Sequence, residues 1–424
     1  MTGIEDRGLL IEDFGSNDTH ALTRAEISPL LLRMRLSHGL HLAYCTNIHR
    51  GESWAETFTA LQTHTLAVRD RVSAGKPYAI GLRLSAQAAR ELSDAQTLTA
   101  FRHWLDRENC YVFTINGFPY GTFHGARVKE QVYVPDWTTN ERVEYTNLLF
   151  DLLAQIVPPD VEGSVSTVPC SFKEFITRPE QVAAMHGNLW RSIEHIARVS
   201  ERTGRRLHLG LEPEPLCFLE TSHETVCFID ALRDEHPNDM RLKAHLGVNY
   251  DTCHLAVEFE EPAAVLKRFA DHDVRVSKLH FSSALKVVPD DLTLNALTSF
   301  VDSVYFHQVI ERTGDNAMRR FRDLDVVLAE NPGDTTQLPR EWRIHFHIPL
   351  HFRATAMFGT TTDHLMGVMD ALAVNPSLCS HIEMETYTWE VMPPEMKNRS
   401  VVDQLVSEYE WTLAELAKRG ITKT

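Results

Sequence analysis

No two of the seven cysteines form a Cys-x-x-Cys pair, and they are scattered along the chain. That argues against a disulfide framework and suits reduced thiols in a cytoplasm. No apolar run approaches the ~20 residues of a membrane helix. Met1-Thr2-Gly3-Ile4-Glu5-Asp6 lacks a basic segment followed by an apolar one, so no leader is expected. Positive charge is scarce. The chain has 42 Lys and Arg against 58 Asp and Glu, a formal charge of −16. A basic groove for phosphates is therefore not expected, nor is a nucleic-acid partner. Gly-rich phosphate loops of the Walker or dinucleotide type are absent. Internal repeats and low-complexity linkers are absent too, so residues 1–424 read as a single domain.

What is present is an alternation of short apolar strands and amphipathic helices. The pivotal stretch is Leu246-Gly247-Val248-Asn249-Tyr250-Asp251-Thr252-Cys253-His254. It reads as a strand ending on a carboxylate, with an imidazole three residues later. Similar strand ends occur at Glu212 and Glu214, at His280, and at Glu383 and Glu385. In a chain of alternating strands and helices, polar strand tips of this kind point to the top of a (β/α)8 TIM barrel.

The expected strands lie at 41–45, 78–84, 111–115, 163–168, 207–212, 246–251, 274–280 and 381–385. Between them, Ser53 with Glu56 and Thr221 with Glu224 make capping boxes. Thr138 with Glu141 is expected to open another helix. Pro179 and Pro262 begin helices, and Gly204 ends one. The last helix spans 400–418. Glu212 to Asp251 is 39 positions and Asp251 to His280 is 29, each close to the ~31 residues of one barrel unit. His280 to Glu385 is 105 positions, which leaves about 70 extra by that average. The spacing thus predicts an insertion at 290–375 between strands seven and eight, with a helix over 292–311 and a strand-like run over 342–351. Residues 1–38 read as a lead-in.

Glu, Asp, His and Glu at four tips have the ligand types of one divalent cation: Mn, Mg, Co or Zn. Such an ion polarises a carbonyl and stabilises the enediolate formed when a proton leaves the neighbouring carbon. The Glu residues are candidate proton carriers. Glu212 and Glu214 share one strand face, as do Glu383 and Glu385, so within each pair either residue suits the ligand role.

The tips Leu-Glu212-Pro, Asp251-Thr-Cys-His254, Leu-His280-Phe and Glu385 resemble those of the xylose isomerase-like (endonuclease IV-like) TIM-barrel superfamily. That resemblance implies Glu212, Asp251, His280 and Glu385 as metal ligands and His254 as a contact to substrate oxygens; Glu212 and Glu385, as the proton carriers, and His254 make up the expected catalytic set. Lys286 stands where that group often carries Arg, but lacks the bidentate fork of Arg. The opening Tyr44-Cys45-Thr46-Asn47-Ile48-His49-Arg50-Gly51-Glu52-Ser53-Trp54 is similar to the EboE-type metabolite traffic proteins. So are Asn116-Gly117-Phe118-Pro119 and His345-Phe346-His347-Ile348-Pro349-Leu350. That branch is linked to export of secondary-metabolite precursors.

Asn47 and His49 at the first tip, Asn116 at the third, Arg83, Lys286 and His347 complete the expected substrate-facing set. For Arg83 the alternative is a buried pairing with a Glu; for Asn47 and His49 it is a turn. Cys45 and Cys253 read as small core residues. The leading expectation is a metal-dependent isomerase or epimerase acting on a sugar, sugar phosphate or cyclitol. The alternatives are a non-catalytic carrier with the same pocket and a phosphodiester hydrolase of endonuclease IV type. Homo-oligomerisation is left open by the sequence.

Overall fold

The structure, a computed structural model, describes residues 36–73, 75–124, 128–330, 340–392, 397 and 399–424. Most of the expected lead-in lies outside them. Seven strands come first: β1 (His41–Tyr44), β2 (Tyr78–Arg83), β3 (Cys110–Asn116), β4 (Gly163–Thr167), β5 (Leu207–Leu211), β6 (Leu246–Asp251) and β7 (Arg275–Phe281). Five more follow in the stretch before the last: β8 (Leu285–Val287), β9 (Val309–Thr313), β10 (Met318–Phe321), β11 (Arg340–Ile344) and β12 (Gly359–Thr360); β13 (His381–Met384) closes the series.

The strands β1 to β7 and β13 form one parallel sheet in the order β1-β13-β7-β6-β5-β4-β3-β2. Its ends meet at a parallel bridge between Cys45 and Gly81, so the sheet is a nearly closed TIM barrel. Nearly every residue of these strands is buried, which is why they read as unbroken apolar runs rather than as an alternating pattern. Gly81 lets β2 come close to β1. A Cβ there would lie 2.7 Å from the Tyr44 carbonyl oxygen and collide with the Glu383 carboxylate. Among the described residues no helix is long and apolar enough to cross a membrane.

The helices start largely where local chemistry predicts. Ser53 accepts from the Glu56 amide while the Glu56 carboxylate accepts from the Ser53 amide. Thr221 and Glu224 repeat the device. Gly204 ends the helix Pro179–Thr203 at φ 69°. The helix after β3 departs from expectation. It runs Asn140–Ile156 with no side-chain cap, because Thr138 turns its hydroxyl to Asp136 Oδ1 instead.

Between β7 and β13 the differences are larger. The helix expected over 292–311 is Asp291–Leu297 followed by a single turn. The remainder extends and becomes β9, which pairs antiparallel with both β10 and β11. Val304-Tyr305-Phe306 and Val309-Ile310 are β-branched and aromatic, and tertiary pairing overrides the local pattern there. The run expected over 342–351 is a strand only to Ile344. With β8 and β12 these strands form a five-stranded sheet, order β10-β9-β11-β8-β12. The helix Thr362–Val374, in the stretch read as insertion, was not anticipated; it packs against Pro262–Asp271 and Thr252–Val257 as a barrel helix.

The last helix, Val401–Lys418, is tied to the barrel mouth by a buried carboxylate. Glu408 Oε1 accepts from the Leu350 amide (3.1 Å) and the Thr386 hydroxyl (2.7 Å). Burial pushes this carboxyl up to about 7, against the opposing effect of those bonds. The folded chain therefore holds a proton there that the unfolded chain releases near 4.5. Stability should fall as pH rises from about 4.5 to 7, by on the order of 3 kcal/mol from this group, and level off above. Denaturant unfolding across that range should show the slope in the wild type, and Glu408→Gln should flatten it.

Candidate metal centre

Four strand ends meet at the C-terminal mouth of the barrel. Asp251 ends β6 and His280 lies near the end of β7. Glu212 follows β5 directly and Glu385 follows β13. Each of the four offers a donor atom within 4.8 Å of the others, and all four are buried. His280 Nδ1 lies 3.1 Å from Glu212 Oε1, 3.1 Å from Glu385 Oε2 and 3.5 Å from Asp251 Oδ2.

The ring of His280 is oriented from below. Its Nε2 lies 2.8 Å from Glu383 Oε2, an oxygen that also accepts from Lys278 Nζ at 2.6 Å. With the proton on Nε2, Nδ1 presents its lone pair to the three carboxylates. Lys278 and His280 are two apart on β7, and Glu383 and Glu385 two apart at the end of β13. Both pairs therefore point into the barrel, one layer above the other. Lys278 and His280 pull the Glu383 carboxyl down to about 2 although burial opposes them.

Asp251 divides its two oxygens. Oδ1 accepts from the amides of Cys253 (2.7 Å) and His254 (3.0 Å) and from Ser282 Oγ (2.6 Å), which caps the helix Thr252–Val257. Asp251 Oδ2 and Glu212 Oε2 are buried with no hydrogen-bond partner. A buried unpaired carboxylate oxygen is costly unless something positive meets it. Burial alone would raise Asp251, but His254, His280 and His347 hold it well below the carboxylate range. The carboxylates in turn lift His280 well above its usual value, Glu385 foremost, against its own burial. A field that favours an extra proton also favours a divalent cation. Three carboxylates and one imidazole are donors of the right type for one, and they leave coordination positions open.

Around the quartet, Glu385 Oε1 accepts from Asn47 Nδ2 (2.7 Å) and lies 3.3 Å from Asn116 Nδ2. His254 is fixed by its Nδ1, 3.0 Å from the Pro213 carbonyl oxygen, and burial lowers it to about 4. His347 Nδ1 lies 3.1 Å from the Glu385 carbonyl oxygen, and His345 Nε2 lies 3.3 Å from His347 Nε2. Two further groups could hold an ion: Asp251, His254 and His347, and Cys253, His345 and His347. Glu214 belongs to none of the three groups, although its Oε1 lies 3.6 Å from His345 Nδ1. It accepts from Tyr133 OH at 2.7 Å, and burial together with the charges of Glu212 and Asp251 pushes it up to about 8.

Three expected substrate contacts lie elsewhere. Arg83 is buried, and its guanidinium donates to the carbonyls of Gly51 (2.6 Å) and Gly121 (2.7 Å) beside Glu52. His49 bonds Tyr44 OH and stacks on His64. Lys286 sits on β8, 3.2 Å from Asp363. None of the three lines the cavity over the quartet, and neither does His347, whose ring is buried behind it; Asn47, Asn116, Glu212, His254 and Glu385 do. Cys45 and Cys253 are buried. Lys278, Tyr133, Tyr387 and Gln308, whose Nε2 lies 3.4 Å from Glu214 Oε1 and whose Oε1 lies 2.8 Å from His345 Nδ1, were not anticipated. Only for Lys278 was a signal available, its parity with His280.

No protein-family model and no curated protein matches this chain. Solved structures do. A xylose isomerase-like TIM barrel protein from Mycobacterium smegmatis, in complex with magnesium, superposes with a TM-score of 0.51 at 12% identity. The match covers 90% of this chain and 98% of that one. The IolI protein with a bound zinc atom gives 0.46 at 13% identity, over 90% and 99%. The probable 3-DHS dehydratase AsbF of Bacillus anthracis, involved in petrobactin synthesis, gives 0.46 at 13%, over 88% and 98%. At 12% identity the likeness to the Mycobacterium smegmatis protein is one of fold, and the fold it supports is the TIM barrel.

Proposed function

We propose that the protein is a divalent-metal-dependent isomerase or epimerase acting on a small compound with adjacent hydroxyl and carbonyl oxygens, in a secondary-metabolite precursor pathway. The observation that carries this reading is the convergence of Glu212, Asp251, His280 and Glu385, with two orphaned carboxylate oxygens among them. A cation held by these four would polarise the substrate carbonyl and acidify the adjacent C–H. The chain's own groups do the rest. Glu212 and Glu385 carry the proton to and from carbon, each through an oxygen not committed to the ion. Asn47 and Asn116 hold Glu385 in place, and His254 meets substrate oxygens. Incubation with candidate sugars and cyclitols in D2O is expected to put deuterium at the carbon beside the carbonyl. Glu212→Gln and Glu385→Gln should each slow that exchange by about 10²–10⁴-fold. Bound ligand without any deuterium uptake would leave a carrier in place of an enzyme.

A second reading, metal-dependent hydrolysis with more than one cation, is favoured by one observation: of two further ligand groups, one shares Asp251 with the quartet and both contain His347. Elemental analysis separates the two readings. One metal per chain fits the isomerase, and two or three fit the hydrolase.

A further inference from the structure

The cavity over the quartet combines a polar set, with Glu214, His254 and His345 beside the floor groups, and a largely aromatic wall. It holds about 530 Å3 of empty space, counting its open mouth. Glu212, Glu385, Asn47 and Asn116 lie at the base, while Phe118, Phe123, Val128, Val132, Tyr305, Phe306 and Tyr387 make the walls. Phe123, Tyr305 and Tyr387 form a three-ring cluster with centroids 5.3–5.4 Å apart. These rings come from the loop after β3, the segment before β9 and the turn after β13, three parts of the chain that meet only here.

The polar groups on these walls are already engaged. Tyr133 OH donates to Glu214, Tyr305 OH bonds His124, and Tyr387 OH lies 3.5 Å from His345 Nε2. Lys129, the one lysine or arginine among the described lining residues, is ion-paired at 2.5 Å to buried Asp323. A hydroxyl directed at the rings would go without a partner, and a phosphate there would find no free cation; both are penalised. A ligand whose far end is apolar meets neither penalty and buries its surface against the rings.

We infer that the ligand of this site is an unphosphorylated compound carrying a ring-sized apolar group beyond its chelating oxygens. The inference rests on the metal reading above and narrows its substrate class, setting the sugar phosphate aside. The test uses four probes that share one hydroxymethyl-ketone head: hydroxyacetone, dihydroxyacetone, dihydroxyacetone phosphate and phenacyl alcohol. Calorimetric titration is run on manganese-loaded and on EDTA-treated protein. Phenacyl alcohol should bind the loaded protein at least about tenfold more tightly than hydroxyacetone. Phe123→Ala and Tyr305→Ala should erase that advantage, bringing the ratio of phenacyl alcohol to hydroxyacetone affinity down towards one. The comparison on the wild-type chain stands whether or not those variants fold. Metal-dependent binding of all four without preference, or tightest binding of the phosphate, would overturn this inference alone. Absence of metal-dependent binding by any probe would overturn the metal reading and this inference with it.

Discussion

Replacing His280 with alanine is expected to strip the chain of its divalent cation. His280 Nδ1 faces all three carboxylates of the quartet at 3.1–3.5 Å, and it is the one imidazole in that group. Four-ligand structural zinc sites are worth about 10–16 kcal/mol, or roughly 3–4 kcal/mol per ligand. Losing one should therefore weaken binding by about 10²–10³-fold. Metal retained after dialysis, measured by elemental analysis, should drop from near one per chain to near zero, and turnover with it. Asp251→Asn is the control for folding. It keeps an oxygen to cap the helix Thr252–Val257 while removing the charge at Oδ2, so metal loss there cannot be ascribed to a lost cap. A His280→Ala chain that holds its metal as the wild type does would remove His280 from the ligand set.

The second large effect is expected at Lys278, one layer below. Lys278 and Glu383 are 1% and 0% exposed and 2.6 Å apart, deep among the carboxylates of the barrel. Lys278→Met leaves Glu383 buried without its counter-charge, and breaking such a pair typically costs about 3–5 kcal/mol. The double variant Lys278→Met with Glu383→Gln should recover much of that loss. The amide oxygen of Gln still accepts from His280 Nε2, and no bare charge remains. Unfolding of the two single variants and the double variant gives the coupling energy directly. Removing Lys278 also makes the site more negative. Added divalent cation should therefore stabilise Lys278→Met more than it stabilises the wild type. Independent, additive losses would mean that the pair is not coupled as the geometry implies.

The barrel was legible because its signals are local. Buried parallel strands write themselves as unbroken apolar runs, and their ends fall near Ser, Thr, Pro and Gly that begin or stop helices. The sheet between β7 and β13 was not legible. β9 gains its identity from β10 and β11, and nothing in 292–311 alone separates a helix from a turn followed by a strand. The four metal-ligand candidates were legible as polar residues at strand tips. The choice between Glu383 and Glu385 was not, because a period of two puts both on one face. Depth separates them geometrically, and depth depends on Lys278 reaching across from a neighbouring strand. Arg83 misled for a related reason. A strand-end arginine has the right chemistry for a substrate, yet here its fork turns to the loop carbonyls of Gly51 and Gly121. The aromatic walls had no signal at all, since Phe123, Tyr305 and Tyr387 are distant in sequence.

Crystals of the protein grown with manganese and measured at its absorption edge address the central claim most directly. An anomalous peak bounded by Glu212, Asp251, His280 and Glu385, close to Glu212 Oε2 and Asp251 Oδ2, is the predicted result. A quartet filled by water or by a neighbouring side chain, with manganese elsewhere or absent, would contradict it.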